Sequence, residues 1–378
     1  MRRTYKYRAV INKKTETNCE KWLYLCRTLY NLVLEQRIWM YRQRRETPSH
    51  YDQQNQLPEF KNEFTEFKDV GSQVLQNVTK RVDLAYRAFF RRLKSGQGKA
   101  GFPRFKGNNR YDSFTFPNKC GWKLEGRYFY VRNVGRFKLH PSKPVQGDIK
   151  TVTVRRSPTG KWYVCFSCDN VVPRKFPKAT EAIGIDVGIK SFCVDSDGNV
   201  FDNPKYYRES EQLLRKRQRK LSRRKKGSVG RKEARILVAK AHERVFNLRN
   251  DFLHKTANYY IENYGTINIE DLQVRNMLKN KHLSKSIADA SWSKFFDMLT
   301  YKAEEAGREV VKVRPHGTSQ LCSFCGAKVP KTLAVRVHRC SVCGLVMDRD
   351  HNAALNILNC GQVGRLGDNV EVSDSCVV

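Results

Sequence analysis

Hydrophobic and polar positions follow two different periods along the first half of the chain. Residues 3–11 alternate like one strand, and residues 111–170 contain four further alternating runs separated by Gly, Pro and Asn. Apolar stripes at helical spacing lie between these segments: Trp22, Leu25, Leu29, Leu32 and Val33, then Val74, Leu75, Val78, Val82, Tyr86, Phe89 and Phe90. We therefore expect a small β-barrel whose first strand is separated from the others by inserted helices.

A third region begins near residue 181. Residues 182–190 and 192–198 predict a strand, a turn and a strand, and a long charged helical stretch follows at 207–264, interrupted at 227–230. Nine basic residues fall within twelve positions of this stretch: Arg215, Lys216, Arg217, Arg219, Lys220, Arg223, Arg224, Lys225 and Lys226. A charge run is usually a solvated face or a localisation signal, but this density favours contact with a nucleic-acid backbone.

The whole chain shares this excess of positive charge. It has 72 Lys and Arg against 37 Asp and Glu, a formal net charge of +35, which calls for an anionic partner. A length of 378 residues with 40% hydrophobic residues allows two to four domains and excludes a disordered tail protein. The sequence has no secretory signal and no apolar run of about 20 residues, so we expect a cytoplasmic protein without a membrane partner.

Twelve cysteines in a reducing compartment are first considered as metal ligands or buried small residues. Cys322 and Cys325 form one Cys-x-x-Cys pair, and Cys340 and Cys343 form a second one, with fourteen residues between the two pairs. Four thiolates complete the tetrahedral coordination of zinc, so this metal is expected to stabilise a loop near the active site rather than to catalyse. The cysteines at 165 and 168 lie in an alternating strand, and we assign them no metal.

Three carboxylates stand at positions that suggest chemistry. Asp186 lies in an apolar strand, Glu270 ends another, and Asp350 begins the segment Asp-His-Asn-Ala-Ala. Each alone could be a strand-end cap or a turn residue. If the three side chains converge, each pair of carboxylates repels by about 4 kcal/mol at a separation of about 4 Å. Divalent ions bound between them would make the total interaction attractive. Oxygen ligands suit Mg²⁺ or Mn²⁺, and two such ions can support phosphodiester hydrolysis, so the pattern predicts a nuclease centre.

The order of these blocks resembles a RuvC-like nuclease domain of the RNase H fold that is split by a zinc ribbon. The whole chain resembles the TnpB family of transposon-encoded RNA-guided DNA endonucleases, which are related to type V CRISPR effectors. Further matching segments are 101–106, 222–228, 251–255 and 319–322. The resemblance implies a multidomain α/β protein in which a small β-barrel, the wedge domain, carries an inserted α-helical recognition lobe.

The resemblance also implies domain bounds. They are 1–12 and 98–180 for the wedge, 13–97 for the recognition lobe, 181–315 and 347–360 for the nuclease domain, and 316–346 for the zinc ribbon. A tail at 361–378 matches no family motif and is a candidate for disorder.

Roles for individual residues follow from the same resemblance. Asp186, Glu270 and Asp350, rather than Asp348, would be the catalytic ligands of Mg²⁺ or Mn²⁺. The implied partners are a guide RNA from the transposon end and a target double-stranded DNA, cut next to a short transposon-adjacent motif. Gln73, Gln76 and Thr115 would read that motif, since amides can pair with adenine, although the glutamines could equally be ordinary helix surface. Arg223, Arg224, Lys225 and Lys226 would contact phosphates.

Two other functions remain open at this stage. One is a guide-directed DNA-binding repressor that has lost cleavage, which the presence of all three acids disfavours. The other is a guide-free nuclease, such as a junction resolvase, which uses the same carboxylates. Dependence on RNA separates the guided enzyme from the guide-free one. The guide sequence, the adjacent motif, the cut positions and the oligomeric state are not accessible from this sequence.

Overall fold

The computed structural model describes residues 1–363 except 97–99, 109, 174–175, 178, 316 and 333–334. The predicted tail at 361–378 therefore lies outside the described residues from position 364 onward, and residues 361–363 belong to the last helix. The chain forms two compact units, Met1–Val172 and Pro173–Val378. None of the described helices is long and apolar enough to cross a membrane.

The first unit contains the helices α1 (Lys13–Arg44), α2 (His50–Asn55), α3 (Leu57–Glu63) and α4 (Ser72–Ser95), with a 3₁₀ turn at Thr65–Asp69. Asn12 caps α1, because its side chain accepts a hydrogen bond of 2.8 Å from the Thr15 amide. A capping box begins α2, in which Ser49 and Asp52 each accept from the other's backbone amide. The cap of α2 fixes the start of a short helix of six residues that carries few apolar positions.

One antiparallel sheet of seven strands completes this unit. Its strands are β1 (Arg3–Val10), β2 (Ser113–Phe116), β3 (Trp122–Glu125), β4 (Tyr128–Val131), β5 (Gly135–His140), β6 (Asp148–Arg156) and β7 (Trp162–Asp169). The strand order is β2-β6-β7-β1-β5-β4-β3. Because β1 lies between β7 and β5 in the same sheet as β2, the four helices are an insertion between two strands of one sheet that are consecutive in sequence.

The sheet is a half-barrel, which is an open form of the small β-barrel expected from the sequence. Within the described ranges β2 and β3 are its edges and do not pair with each other. Helix α1 contacts both halves instead: the Trp22 ring lies 5.3 Å from that of Phe114 on β2, and Asn18 donates a hydrogen bond of 3.0 Å to the Val134 carbonyl beside β5. The helix thus covers the core that a closing strand ladder would otherwise cover.

The second unit is built on a mixed sheet of β8 (Ala182–Val187), β9 (Ser191–Asp195), β10 (Val200–Asp202), β11 (Thr266–Glu270) and β12 (Glu309–Val313). The order is β10-β9-β8-β11-β12; β8, β11 and β12 are parallel, β9 is antiparallel to β8, and β10 is antiparallel to β9. The connecting helices are α5 (Tyr206–Ser222), α6 (Val229–Asn263), α7 (Val274–Met277), α8 (Ser284–Ala290) and α9 (Trp292–Ala306). A small hairpin of β13 (Val337–Arg339) and β14 (Val346–Asp348) precedes α10 (Arg349–Val363).

The two faces of this sheet have different partners. Ile183 and Ile185 of β8 join the apolar core formed with α6 and α9. Gly184 faces the other way, where a Cβ atom would overlap the carbonyl oxygen of Ala354 in α10. A Cβ at Gly361 of the same helix would overlap the side-chain oxygen of Asn268 on β11. Close packing therefore holds α10 directly on β8 and β11.

Candidate functional site

The first two predicted acids lie on adjacent strands of the second unit. β8 and β11 are parallel, and Ile185 pairs with Ile269, so Asp186 and Glu270 follow one residue later on each strand. Side chains alternate between faces along a strand, which puts Asp186 on the same face as Gly184 and Glu270 on the same face as Asn268. Both acids therefore share the face that α10 covers.

The third acid comes from the start of that helix. Asp350 lies in the first turn of α10, whose later residues pack on Gly184. Asp348 caps the helix, since its Oδ1 accepts from the amides of Asp350 at 2.8 Å and His351 at 3.2 Å. Asp348 is thus the last residue of β14 and the cap of α10.

All three acids line one cavity of about 670 Å³. Burial raises the pKa of Asp186 well above its ordinary value, and the charges of Glu270 and Asp350 raise it further. Burial also raises the pKa of Glu270, while a hydrogen bond of 2.6 Å from the Thr318 hydroxyl to its Oε1 opposes that rise. Three acids of distant sequence position thus repel one another in one half-enclosed space.

Basic side chains form another part of the cavity wall. Nη1 of Arg336 lies 3.7 Å from Oδ1 of Asp350, and the charge of Arg349 lowers the pKa of Asp186. The remaining basic residues of the wall are Lys190, Lys205 and Arg208. Carboxylate oxygens with such cations beside them can hold hard divalent ions and a phosphate together. In the described part of the chain, however, the three carboxylates do not form a cluster as tight as that of the cysteines.

The four predicted zinc ligands do form a tight cluster. Their sulfur atoms all lie within 4.8 Å of one another, with Cys322–Cys343 and Cys325–Cys340 separations of 3.6 Å. Zinc–sulfur bonds of about 2.3 Å in a tetrahedron place sulfurs about 3.8 Å apart, so the cluster fits zinc. Gly326 and Gly344, at φ 71° and 76°, close two equivalent turns by donating to the carbonyls of Cys322 and Cys340.

The matches to known families cover the segments of the chain that carry the candidate residues. A family described as "Probable transposase" matches residues 165–281, which contain Asp186 and Glu270. A family described as "Cas12f1-like, TNB domain" matches 292–357, which contain the four cysteines and Asp350. A Streptomyces pristinaespiralis protein named "Putative RNA-guided DNA endonuclease" is 35% identical over 96% of this chain and 90% of its own length. This chain belongs to the TnpB/IS605 OrfB family.

Other relatives support the same assignment of this chain to the TnpB family. The Escherichia coli (strain K12) protein named "Putative RNA-guided DNA endonuclease InsQ" is 32% identical over 81% of this chain and 79% of its own length. Among solved structures, a Cas12f1 chain from a cryo-EM complex with sgRNA and target DNA matches with a TM-score of 0.57 at 16% identity, covering 93% of this chain and 84% of that one. That likeness is one of fold.

A third family description, "Helix-turn-helix domain", matches residues 1–46. In this TnpB-family structure the same residues form strand β1 and the single long helix α1. The matched segment is therefore a strand and one helix.

The predicted phosphate-binding residues lie in the turn between α5 and α6. All four are exposed: Arg223, Arg224, Lys225 and Lys226. A cleft of about 930 Å³ runs along α5 beside this turn and is lined by one helix face: Gln212, Arg215, Lys216, Arg219, Lys220, Arg223 and Arg224. Among the residues that the structure describes, Arg215 alone of the nine basic residues of this stretch forms an ion pair, with Glu211 at 2.6 Å.

The predicted motif-reading residues of this TnpB-family chain lie on neighbouring elements of the first unit. Gln73 and Gln76 are half-buried on α4, and Thr115 lies on β2. The residue of α4 that contacts Thr115 is Arg81, whose Nη2 donates to the Thr115 hydroxyl oxygen at 2.7 Å. Thr153 of β6 shares the same hydroxyl at 2.8 Å.

Sequence reasoning missed several polar residues around the centre. Thr318 contacts Glu270, and Asn352 and Asn356 of α10 hold the backbone near Thr318. Two features of the sequence could have identified these residues. Thr318 lies four residues before Cys322, and Asn352 lies inside the motif that begins at Asp350. Arg81 and Thr153 had no comparable signal, because their roles depend on the contact between α4 and the half-barrel.

Proposed function

We propose that this chain is an RNA-guided DNA endonuclease. It cleaves double-stranded DNA next to a short transposon-adjacent motif by metal-dependent phosphodiester hydrolysis. The observation that carries this proposal is the convergence of Asp186, Glu270 and Asp350 on one cavity, where their mutual repulsion favours bound cations. The names of two curated relatives support the RNA-guided reaction.

The second unit is proposed to be a RuvC-like nuclease domain of the RNase H fold, at 181–315 and 347–360, with the zinc ribbon inserted at 316–346. The first unit is proposed to comprise the wedge domain, 1–12 and 98–180, and the recognition lobe, 13–97. Support comes from the insertion of α1–α4 between strands of one sheet, and from the acid-bearing strands β8 and β11 at the middle of the other sheet.

In this proposal the oxygen atoms of Asp186, Glu270 and Asp350 hold two Mg²⁺ or Mn²⁺ ions. Ions held there would supply activation of a water and stabilisation of the leaving oxygen in an in-line displacement. The protein supplies no nucleophile of its own. Arg336 and the other basic residues of the wall attract the phosphate, and the parallel strands keep the first two acids adjacent. The four cysteines hold a structural zinc that takes no part in the reaction.

The proposed partners are a guide RNA from the transposon end and the target DNA duplex. The exposed turn of Arg223, Arg224, Lys225 and Lys226 binds phosphates without reading sequence. Gln73, Gln76 and Thr115 read the adjacent motif, with Arg81 fixing the Thr115 hydroxyl.

A cleavage assay tests the proposal. The protein is expressed with its native locus, the co-purifying RNA is sequenced, and the complex is incubated with Mg²⁺ and a plasmid library that carries randomised bases beside the target. We expect cutting next to one motif, with loss of at least about 10³-fold in Asp186→Asn and Glu270→Gln. Asp271→Asn is the matched control, because Asp271 is exposed and lies 3.6 Å from Lys312.

The other functions give different results in the same assay. Guided binding without any cutting by the parent protein would indicate the repressor. Cutting of branched DNA that survives RNase treatment would indicate the guide-free nuclease. Alanine substitutions of Gln73 and Gln76 that leave the preferred motif unchanged would remove these residues from motif reading.

A further inference from the structure

The carboxylate of Glu270 is fixed by a residue of the segment that leads into the zinc cluster. The Thr318 hydroxyl donates to Oε1 of Glu270 at 2.6 Å, and both side chains are buried, at 6% and 9% exposure. Thr318 is four residues before Cys322. A buried hydrogen bond of this length restricts the orientation of the carboxylate.

The backbone of this segment is itself held by helix α10. The Asn356 amide nitrogen donates to the carbonyl of Thr318 at 2.7 Å and to that of Leu321 at 2.8 Å. One turn earlier, Asn352 donates to the Leu321 carbonyl at 2.7 Å and accepts from the Ser323 amide at 3.0 Å. Asn352 is fully buried. Two amides of one helix thus fix the chain on both sides of Leu321.

The same segment continues into the first zinc turn. Cys322 donates its amide to the Ala327 carbonyl and accepts from Gly326, each at 2.9 Å. Zinc bound to Cys322 therefore fixes one end of the segment, and Asn352 and Asn356 fix its middle. Thr318 at the other end reaches the acid, and α10 also carries Asp350 at its start. The zinc cluster and two of the three acids are connected through a single short stretch of chain.

We propose that Thr318 is a positioning residue for Glu270, and that Asn356 and the zinc cluster hold Thr318 in place. Partners outside the first coordination shell commonly orient metal ligands in this way, and their loss costs about 10- to 100-fold in metal affinity. This inference rests on the proposed function, because it takes Glu270 as a ligand of the divalent ion.

Direct titration of Mn²⁺ into the full-length, zinc-loaded and nuclease-treated chain tests the inference, with free Mn²⁺ followed by electron paramagnetic resonance. We expect Thr318→Val, which keeps the shape and removes the donor, to weaken Mn²⁺ binding at least about tenfold. Thr318→Ser retains the hydroxyl and should restore most of the affinity. Both variants should keep one zinc and the parent unfolding temperature.

Variants of α10 extend the test. Asn356→Leu should weaken Mn²⁺ binding in the same direction as Thr318→Val. Asn359→Leu is the control, because Asn359 reaches only the Ser323 carbonyl, at 3.5 Å, and should bind Mn²⁺ like the parent. A parent-like affinity in Thr318→Val would overturn the positioning role.

Asp186→Asn in the same titration separates a failure of the positioning role of Thr318 from a failure of the acid centre as the metal site. If Asp186→Asn loses Mn²⁺ binding and Thr318→Val does not, only the positioning role is wrong. If Asp186→Asn binds Mn²⁺ like the parent, the acid centre is not the metal site, and the proposed function fails with it.

Discussion

The cysteine cluster and the acid centre of the second unit are assembled in opposite ways. The cysteines come from one segment, 322–343, and two glycine-closed turns bring their sulfurs within 4.8 Å. The acids come from positions 186, 270 and 350 and meet through sheet pairing and the packing of α10. A local cluster of this kind is suited to a permanent metal. A centre assembled from distant segments leaves room for water and a phosphate.

Ionisation differs within the cysteine cluster and between the two clusters. Backbone amides of Cys343 and Val342 lower the pKa of Cys340 to about 6, whereas, against the lowering effect of the Leu345 amide, burial and the neighbouring thiols raise the pKa of Cys343 to about 12. In the acid centre, burial and neighbouring charge raise the pKa of Asp186 and so disfavour its ionised form. We infer that the first cluster stabilises the fold, whereas the second lowers stability until cations bind.

Replacement of one zinc ligand gives the largest expected effect on stability. Cys340→Ser should reduce bound zinc from one per chain to near zero, as measured by atomic emission. Structural zinc sites contribute about 10–16 kcal/mol of apparent binding free energy, so the ribbon should lose its protection from hydrogen exchange. Cys165→Ser is the control, because Cys165 lies on β7 outside any described cluster. Full zinc content in Cys340→Ser would contradict the comparison.

Addition of Mg²⁺ should give a smaller effect that depends on the acids. A ligand at about 100 times its dissociation constant stabilises the folded state by about 2.7 kcal/mol. We expect this gain in the free energy of unfolding for the parent and for Asp271→Asn, and none for Glu270→Gln, measured by denaturant titration. An equal gain in Glu270→Gln would mean that Mg²⁺ binds elsewhere.

The difference between the clusters also explains what the sequence could predict. The cysteine spacing and the strand contexts of Asp186 and Glu270 are local patterns, and the structure has the expected elements at each. Thr318 and Asn356 contribute through contacts between the zinc segment, β11 and α10, which no local period encodes. Their positions depend on how α10 packs at Gly184, a property of the assembled fold.

The first unit also has features that local sequence patterns could not predict. Alternating runs predicted β1, β2, β4, β6 and β7 but not β3 and β5, and whether the sheet closes depends on what covers its open side. Trp22 and Asn18 of α1 occupy that side, so a half-barrel forms where the pattern alone suggested a barrel. The helix α2 was missed because its start depends on the polar caps Ser49 and Asp52 rather than on an apolar stripe.

The smallest expected effect is a change in pH dependence at Asp186. Because the fold raises the pKa of this carboxyl above its unfolded value, the folded state holds the proton more tightly. The stability that Asp186 contributes is therefore fully present below its ordinary pKa, near 4, and is lost as the pH rises through the raised value. Asparagine cannot ionise, so Asp186→Asn should remove this loss.

Denaturant titrations from pH 4 to pH 8 without divalent ions measure the effect, with Asp271→Asn as the control. The free energy of unfolding of Asp186→Asn should exceed that of the parent by an amount that grows with pH. Addition of Mg²⁺ should reverse the order at high pH, because only the parent retains the full set of ligands. A difference that stays constant with pH would show that Asp186 does not experience the repulsion that distinguishes the acid centre from the cysteine cluster.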